Sequence, residues 1–276
     1  MEPMEWCRQR MLVPGNPLTA TLPFAAEAQR DAILALRTVI AEIASAGGAG
    51  SEGEVAAARL NWWRQALREA NAHPAIQALK ASGVSEILDP AAFDGLIGGV
   101  TESAVNPRFE SSAQAWQYFR RVGGAANALE ARLIEPELVA DEPFVELGAA
   151  MYLIRTTRDL AIDARANRWL VPLDLQAEYQ VSRQAAMTDQ ASPAFNGLVR
   201  ALLSQALAHA EQATSALDGQ AGWKHRHLLL LWNLDRNLAQ RLARRPQVLL
   251  NKRLLPGHAG NVWQTWRAAR RLKKAF

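Results

Sequence analysis

Cysteine, long apolar runs and β-branched stretches are all scarce in this sequence of 276 residues. Cys7 is the single cysteine, so no disulfide can form within the chain, and a reducing compartment is expected. The first ten residues lack the apolar stretch of a secretory signal peptide. The longest strongly apolar run, 228–232, is far shorter than the roughly 20 residues needed to span a bilayer. We therefore expect a cytoplasmic protein.

Acidic residues are absent from segment 236–276, which carries eleven Lys or Arg, whereas the rest of the chain holds 20 basic and 27 acidic residues. This asymmetry suggests an anionic partner for the C-terminal end. In the basic tail, 257–276, Trp263, Trp266 and Leu272 lie near one apolar side, which predicts peripheral contact with the inner face of an anionic membrane. The alternative is a helix docked on the protein with its charges in water. No recognition motif indicates nucleic-acid binding.

The residues that are abundant are helix formers: alanine, leucine, arginine, glutamate and glutamine dominate long stretches. In the segment that begins near Ala25, apolar residues recur at intervals of three and four, as on one face of a helix. Further helical segments, separated by Gly and Pro residues, are predicted at 54–71, 111–133, 144–165, 192–217 and 223–245. We therefore predict an all-α protein of eight or more helices in a single domain, 1–276, with an irregular N-terminal arm at 1–23.

Two aspartates, Asp159 and Asp163, are one helical turn apart and lie among arginines. Side chains at i and i+4 share a helix face, so both carboxylates can point to one place, where a cation would relieve their repulsion. Mg²⁺ accepts one or two carboxylates and completes its shell with water and phosphate oxygens. Arg158 or Arg168 can neutralise the remaining phosphate charge. The pattern predicts a magnesium-diphosphate site, and the alternative is a salt-bridged helix surface.

The surroundings of these aspartates resemble a known motif. Residues 147–174, LGAAMYLIRTTRDLAIDARANRWLVPLD, are similar to the second aspartate-rich motif of the squalene and phytoene synthase family. The positions that match that motif are Leu147, Gly148, Ala150, Arg158, Asp159, Asp163, Arg168 and Pro172. Segments 22–37, 58–67 and 93–100 resemble other blocks of the family in the same order, so the resemblance covers about residues 15–255.

This resemblance implies an isoprenoid (terpenoid) synthase-type helical bundle around a central cavity. Family members join two prenyl diphosphates head to head, and aspartate motifs that face each other across the cavity help to hold diphosphate through Mg²⁺. The expected ligand is thus a prenyl diphosphate or another anionic lipid, and Asp159 and Asp163 would be the catalytic and metal-binding residues. The diphosphate would contact Arg158, Arg168, Arg37 and Arg155, and the cavity would include Tyr152, Trp63 and Glu42. For the tryptophans, ordinary core packing is the alternative.

The first aspartate-rich motif of the family is missing from this sequence. In the matching stretch, ALRTVIAEIASAGG, Ala44, Ser45 and Gly48 stand where the family has aspartates, and Arg37 replaces a tyrosine. Alanine and serine supply no anionic oxygen to Mg²⁺. Arg37 can compensate by pairing with phosphate directly, or it can pair with Glu42.

Two further segments resemble a divergent branch of the family that includes a mitochondrial complex I assembly factor. They are ALRTVIAEIA, residues 35–44, and LLPGHAGNVWQTWRAARR, residues 254–271. Members of that branch have lost aspartates and are regarded as making neither squalene nor carotenoids. The sequence therefore leaves two functions open: a head-to-head prenyltransferase of isoprenoid biosynthesis, and a non-catalytic binding or assembly protein on the same fold.

Overall fold

The computed structural model describes residues 1–48, 53–69, 73–188, 192–217 and 219–275. Within these ranges all regular structure is helical and no strand is present, which confirms the all-α prediction. The α-helices are α1 (Pro3–Met11), α2 (Pro17–Thr21), α3 (Arg30–Ala46), α4 (Gly53–Glu69), α5 (Pro74–Ala81), α6 (Val84–Ile87), α7 (Asp94–Ala104), α8 (Ser112–Phe119), α9 (Ala125–Ile134), α10 (Glu142–Arg158), α11 (Leu160–Arg165), α12 (Leu173–Tyr179), α13 (Pro193–Ser215), α14 (Gly219–Lys224), α15 (Arg226–Arg244), α16 (Val248–Asn251) and α17 (His258–Ala275). The other helical segments are a π-helical segment at Arg120–Gly124 and short 3-10 helices at Leu22–Phe24, Glu27–Gln29, Pro90–Phe93 and Ala185–Met187.

Polar caps and prolines set the start of several helices. The Asn16 side chain accepts a hydrogen bond from the Leu18 amide at 3.0 Å, and the Ser192 side chain accepts one from the Phe195 amide at 3.0 Å. A proline follows each of these caps at the first helical position, where the missing N–H would have no partner within the helix. Prolines that mark breaks in the sequence pattern therefore also mark helix starts.

The prediction of an irregular arm over 1–23 is wrong. Both α1 and α2 lie in this segment, and α1 packs against α3 and α5. Pro3 and Pro17 each occupy the first turn of a helix, where the fixed φ of proline is favourable. Cys7 is fully buried in this packing and belongs to the hydrophobic core.

Helix α10 lies at the centre of the protein. It packs against α8, α9, α13 and α15 and against the π-helical segment. Because neighbours surround it, α10 has buried apolar residues on several sides, including Leu147, Ala150 and Ile154, rather than one apolar stripe. A large cluster of buried side chains extends around it from α1 to α16.

The π-helical segment crosses α10 at glycines. A Cβ atom at Gly148 would overlap the carbonyl oxygen of Gly123, so the two backbones can approach this closely only without side chains. The pair Gly123 and Gly124 lies in this π-helical segment and does not end the helix. The chain stays helical from α8 through the π-helical segment to α9.

The predicted basic tail, 257–276, forms α17 from His258 to Ala275. This helix packs against α2, α14 and α15, and its buried side chains are Asn261, Thr265 and Ala268. No helix in the described ranges is both long and apolar enough to cross a membrane.

The close crossing predicts opposite effects for two Gly→Ala substitutions. Gly148→Ala should lower the free energy of unfolding by about 1–3 kcal/mol, because the added methyl forces the backbones apart. Gly98→Ala, on an exposed face of α7 with no atom near the new methyl, should raise it by about 0.5–1 kcal/mol. Urea unfolding followed by circular dichroism measures both, and equal stability of the two variants would contradict the crossing.

Candidate functional site in an arginine-lined cavity

A cavity of about 460 Å³ lies between α3, α7, α9, α10, α15 and the π-helical segment. Its apolar wall includes Ile40, Leu96, Val100, Val122, Met151 and Leu231. Its polar side includes Arg37, Tyr152, Arg155, Arg158, Asp159 and Arg168. The structure therefore brings together all four arginines that the sequence analysis assigns to the diphosphate, and it adds Tyr152 and one of the two aspartates. An apolar wall beside clustered cations suits a ligand with an anionic head and a hydrocarbon body.

Asp159 lies directly after α10 and is held by two arginines. Its Oδ1 accepts from Arg158 Nε at 2.9 Å and from Arg253 Nε at 2.7 Å, and its Oδ2 accepts from the two Nη2 groups at 2.6 and 2.7 Å. Burial alone would raise the pKa of this carboxyl, but the hydrogen bonds from Arg158 and Arg253 outweigh it, and the pKa lies below its ordinary value. Asp159 is therefore an ionised anchor for these two guanidinium groups.

Asp163 follows one turn later, in α11, where its amide donates to the Asp159 carbonyl at 2.8 Å. Its Oδ2 accepts from Arg168 Nη2 at 2.7 Å. It lines a separate space of about 10 Å³, roughly the size of one water molecule. Arg168 and Thr156 line both spaces. Burial raises the pKa of Asp163 despite the arginine contact. The prediction that both carboxylates serve one cavity is thus met by Asp159, whereas Asp163 lies behind Arg168.

Arg37 extends from α3 and pairs with a buried acid that the sequence analysis missed. Its Nε donates to Glu130 Oε2 at 2.5 Å, and its Nη2 donates to Asn127 Oδ1 at 3.0 Å. Glu130 is fully buried and also contacts His227 Nδ1 at 2.6 Å. Burial would raise the pKa of Glu130, but the charges of Arg37 and His227 hold it at about 2.

Glu42 and Trp63, both predicted for the cavity, lie elsewhere. Glu42 accepts a hydrogen bond from Arg10 at 2.7 Å, so the predicted alternative of an Arg37–Glu42 pair is wrong. Both Trp63 and Trp62 line a shallow pocket beside α4, and the Trp63 ring packs edge-on against His73 at 4.8 Å. The apolar surface of Trp63 packs against this ring cluster and the hydrophobic core.

Arg155, on α10, pairs with an acid of α15. Its Nε donates to Asp235 Oδ2 at 3.0 Å, and its Nη2 lies 2.8 Å from the same oxygen. Glu130, Asp235 and Arg253 are not among the predicted site residues, because they lie far along the chain from their partners and belong to no recognisable motif. The one signal in the sequence that could have indicated them was a single acidic residue within a largely apolar helix.

Helix α3 presents small residues to the cavity where the resembled family has its first aspartate motif. Ala41, Ala44 and Gly47 line the cavity. They follow Arg37 at intervals of about one helical turn, on the same face. Of the three positions matched to aspartates, only Ala44 is among these lining residues, whereas Ser45 is exposed to solvent. The replacement therefore leaves this side of the cavity apolar rather than anionic.

The donor set does not fit a Mg²⁺ centre in this arrangement. Both oxygens of Asp159 are already occupied by Arg158 and Arg253, and Asp163 is bonded to Arg168 in the adjoining space. In the described part of the chain, no group of three or more His, Cys, Asp or Glu side chains could hold a metal ion. A dication at Asp159 would have to displace guanidinium groups and would sit beside their positive charges.

Comparisons with known proteins identify the fold. The family profile described as squalene/phytoene synthase matches residues 16–259. No curated protein matches the sequence significantly. A solved structure of a dehydrosqualene synthase in complex with ligand is similar with a TM-score of 0.82 at 16% identity, covering 99% of this chain and 97% of that chain.

Two further solved structures are similar to this chain. Squalene synthase HpnC from Alicyclobacillus acidocaldarius has a TM-score of 0.72 at 15% identity, covering 89% of this chain and 94% of that chain. YisP from Bacillus subtilis subsp. subtilis strain 168 has a TM-score of 0.71 at 16% identity, covering 96% of this chain and 95% of that chain. These likenesses confirm the predicted isoprenoid synthase-type fold.

The buried Glu130 makes stability depend on acid pH. Because its pKa is about 2 in the folded protein against an ordinary value of 4.5, its contribution is present above pH 4.5 and is lost as the pH falls toward 2. Glu130→Gln should be less stable at pH 7 by about 3–5 kcal/mol, and its stability should fall less between pH 4.5 and 2. Urea unfolding across this range measures the slope.

The control for this prediction is Glu102→Gln, which removes a partly exposed carboxylate paired with Arg121. It should change stability by less than about 1 kcal/mol and leave the pH dependence unaltered. A Glu130→Gln variant with the wild-type slope would show that Glu130 is not a low-pKa group.

Proposed function

The chain belongs to the squalene/phytoene synthase family, and on that premise we propose that its cavity binds a prenyl diphosphate or a similar anionic lipid. The observation that carries this proposal is the lining of the cavity, which combines four arginines with apolar side chains. A prenyl diphosphate has two matching parts, because its head is a charged diphosphate and its tail is a hydrocarbon chain. Such a site combines apolar burial with a few placed polar groups.

In the proposed complex the arginines donate to phosphate oxygens and the tail lies on the apolar wall. Arg155 and Arg158 reach the cavity from the last turn of α10, and Arg168 reaches it from the segment after α11. Guanidinium groups suit this role because they present several N–H donors in one plane. Ile40 and Met151 belong to the apolar part of the lining, which would keep water from the carbon that bears the diphosphate.

The catalytic form of this function is head-to-head condensation of two prenyl diphosphates. Departure of a diphosphate leaves an allylic cation, and an apolar wall protects that cation from capture by water. Binding of Mg²⁺ by Asp159 and Asp163 would require Arg158, Arg253 and Arg168 to release these carboxylates. The donor set as folded does not fit the metal.

A non-catalytic binding or assembly role on the same fold is the second candidate. It is favoured by Ala44, which lines the cavity at a position where the resembled family has an aspartate, with the small residues Ala41 and Gly47 beside it in the lining. Alanine and glycine can neither bind a metal ion nor transfer a proton. In this role the protein binds its ligand in the cavity without converting it to a product.

Binding and turnover separate these functions. Wild-type protein should bind geranylgeranyl or farnesyl diphosphate in isothermal titration calorimetry. Arg168→Gln should bind about 10–100-fold more weakly, because a charge-assisted hydrogen bond is lost. The matched control is Arg132→Gln, which removes a surface arginine paired with Asp141. Release of inorganic diphosphate with Mg²⁺ present would support condensation, and binding without release would support the second candidate. No binding of either ligand would refute the proposal.

We also propose that α17 contacts an anionic membrane surface. Trp263 and Trp266 are 56% and 40% exposed and stack on each other with ring centroids 5.1 Å apart. The Arg270 guanidinium lies 4.8 Å from the Trp266 ring, and further Lys and Arg residues follow to the end of the helix. Exposed tryptophans beside basic residues suit the boundary between lipid headgroups and acyl chains.

This surface adjoins a segment that lines the cavity. The buried side chain of Asn261, in α17, donates to the Gly15 carbonyl at 3.3 Å. The next residues along the chain, Asn16, Pro17 and Leu18, line the cavity. A lipid taken up at the α17 surface would therefore have a short path to the proposed binding site.

The tryptophan pair should carry the membrane contact. Combined Trp263→Ala and Trp266→Ala should lower sedimentation with vesicles that contain phosphatidylglycerol by about tenfold, because interfacial aromatic area is lost. Trp62→Ala is the matched control, since Trp62 is 48% exposed on α4. Added salt should weaken the wild-type binding, because basic residues contribute. Equal vesicle binding by both variants would refute this contact.

A further inference from the structure

We infer that the cavity recognises the diphosphate through arginine guanidinium groups directly, without a divalent cation between protein and ligand. This inference rests on the proposed function, because it concerns how the same ligand is held. It replaces the Mg²⁺-mediated recognition that the sequence predicts. Four observations carry it: the pairing of the arginines, their unused donors, the saturated aspartate and the lining supplied by α3.

Every arginine that lines the cavity is paired with its own carboxylate. The pairs are Arg37 with Glu130, Arg155 with Asp235, Arg158 with Asp159, and Arg168 with Asp163. Of these acids, only Asp159 is itself part of the cavity lining. The other three hold their arginines from outside the lining, so the cavity surface carries an excess of positive charge. The carboxylates therefore act as anchors that orient guanidinium groups toward an anion.

The anchored arginines keep donors for a ligand. Arg37 uses Nε and Nη2 for Glu130 and Asn127, which leaves its Nη1 group for another acceptor. Arg168 uses Nη2 for Asp163, and its buried Nε has no hydrogen-bond partner within the described ranges. An unsatisfied buried donor is costly, and a phosphate oxygen would satisfy it.

Metal ligands are unfavourably arranged on both sides of the cavity. Asp159 accepts hydrogen bonds from Arg158 and Arg253 on both oxygens, so a dication must displace them and then lie close to their positive charges. On the other side, α3 offers Ala44 rather than a carboxylate, and Arg37 stands two turns before it on the same face. A direct guanidinium contact from α3 thus takes the place of a metal-bridged one.

The test is ligand affinity with and without Mg²⁺. Isothermal titration calorimetry with geranylgeranyl diphosphate, and with inorganic diphosphate as competitor, is performed in EDTA and in excess Mg²⁺. The affinity in EDTA should equal that in Mg²⁺ within about threefold. Binding that requires Mg²⁺ would overturn the inference while leaving the proposed function intact. Absence of binding in both conditions would refute the proposed function itself.

Variants assign the recognition to particular groups. Arg37→Gln alone would leave the buried Glu130 with only His227 as a partner, so it is combined with Glu130→Gln. This double variant should bind the diphosphate in EDTA about 10–100-fold more weakly, whereas the Arg132→Gln control should bind as wild type does. A folded double variant with unchanged affinity would overturn the role of Arg37.

Asp159→Asn distinguishes an anchor from a metal ligand. If Asp159 orients Arg158 and Arg253, the substitution should lower affinity by the same factor in EDTA and in Mg²⁺. If Asp159 holds Mg²⁺, affinity should fall in Mg²⁺ alone, and that result would contradict the inference. Circular dichroism of each variant confirms that it is folded before binding is compared.

Discussion

The pairing of half-buried arginines with carboxylates is the constraint on which the rest of this structure depends. Glu130 is fully buried, and an ionised carboxylate in that position is tolerable only because Arg37 and His227 lie against it. The same pairs connect helices, since Arg37 on α3 meets Glu130 on α9, and Glu130 meets His227 on α15. Removal of one member would leave its partner charged and without that ion pair. The same contacts therefore contribute both to the stability of the fold and to the geometry of the site.

This constraint explains why four arginines can lie together in the lining of one cavity. Each carboxylate that could serve a metal also fixes an arginine, and in the case of Asp159 it fixes two. The apolar wall and the glycine crossing of α10 with the π-helical segment leave the space that these arginines face. Close backbone packing at Gly123 and Gly148 is therefore as much a part of the site as its charged groups.

The similarity to solved structures lies in the packing of the helices rather than in individual side chains. The fold is shared at TM-scores of 0.71 to 0.82 with only 15 to 16% identity, so the order and packing of helices persist while individual side chains differ. In this chain Ala41, Ala44 and Gly47 give the cavity a lining of small side chains next to Arg37. A fold by itself does not decide function.

The sequence by itself determined the all-α class, the family and the arginines of the cavity, because helical periodicity and a local motif depend on neighbours in the chain. It also placed Asp159 beside Arg158. Only the tertiary structure decided that Glu130, Asp235 and Arg253 complete these pairs, since each lies many residues from its partner. It likewise formed α1 and α2 within residues 1–23 and placed Trp63 outside the cavity. Long-range burial and charge compensation are properties of packing, and no local pattern encodes them.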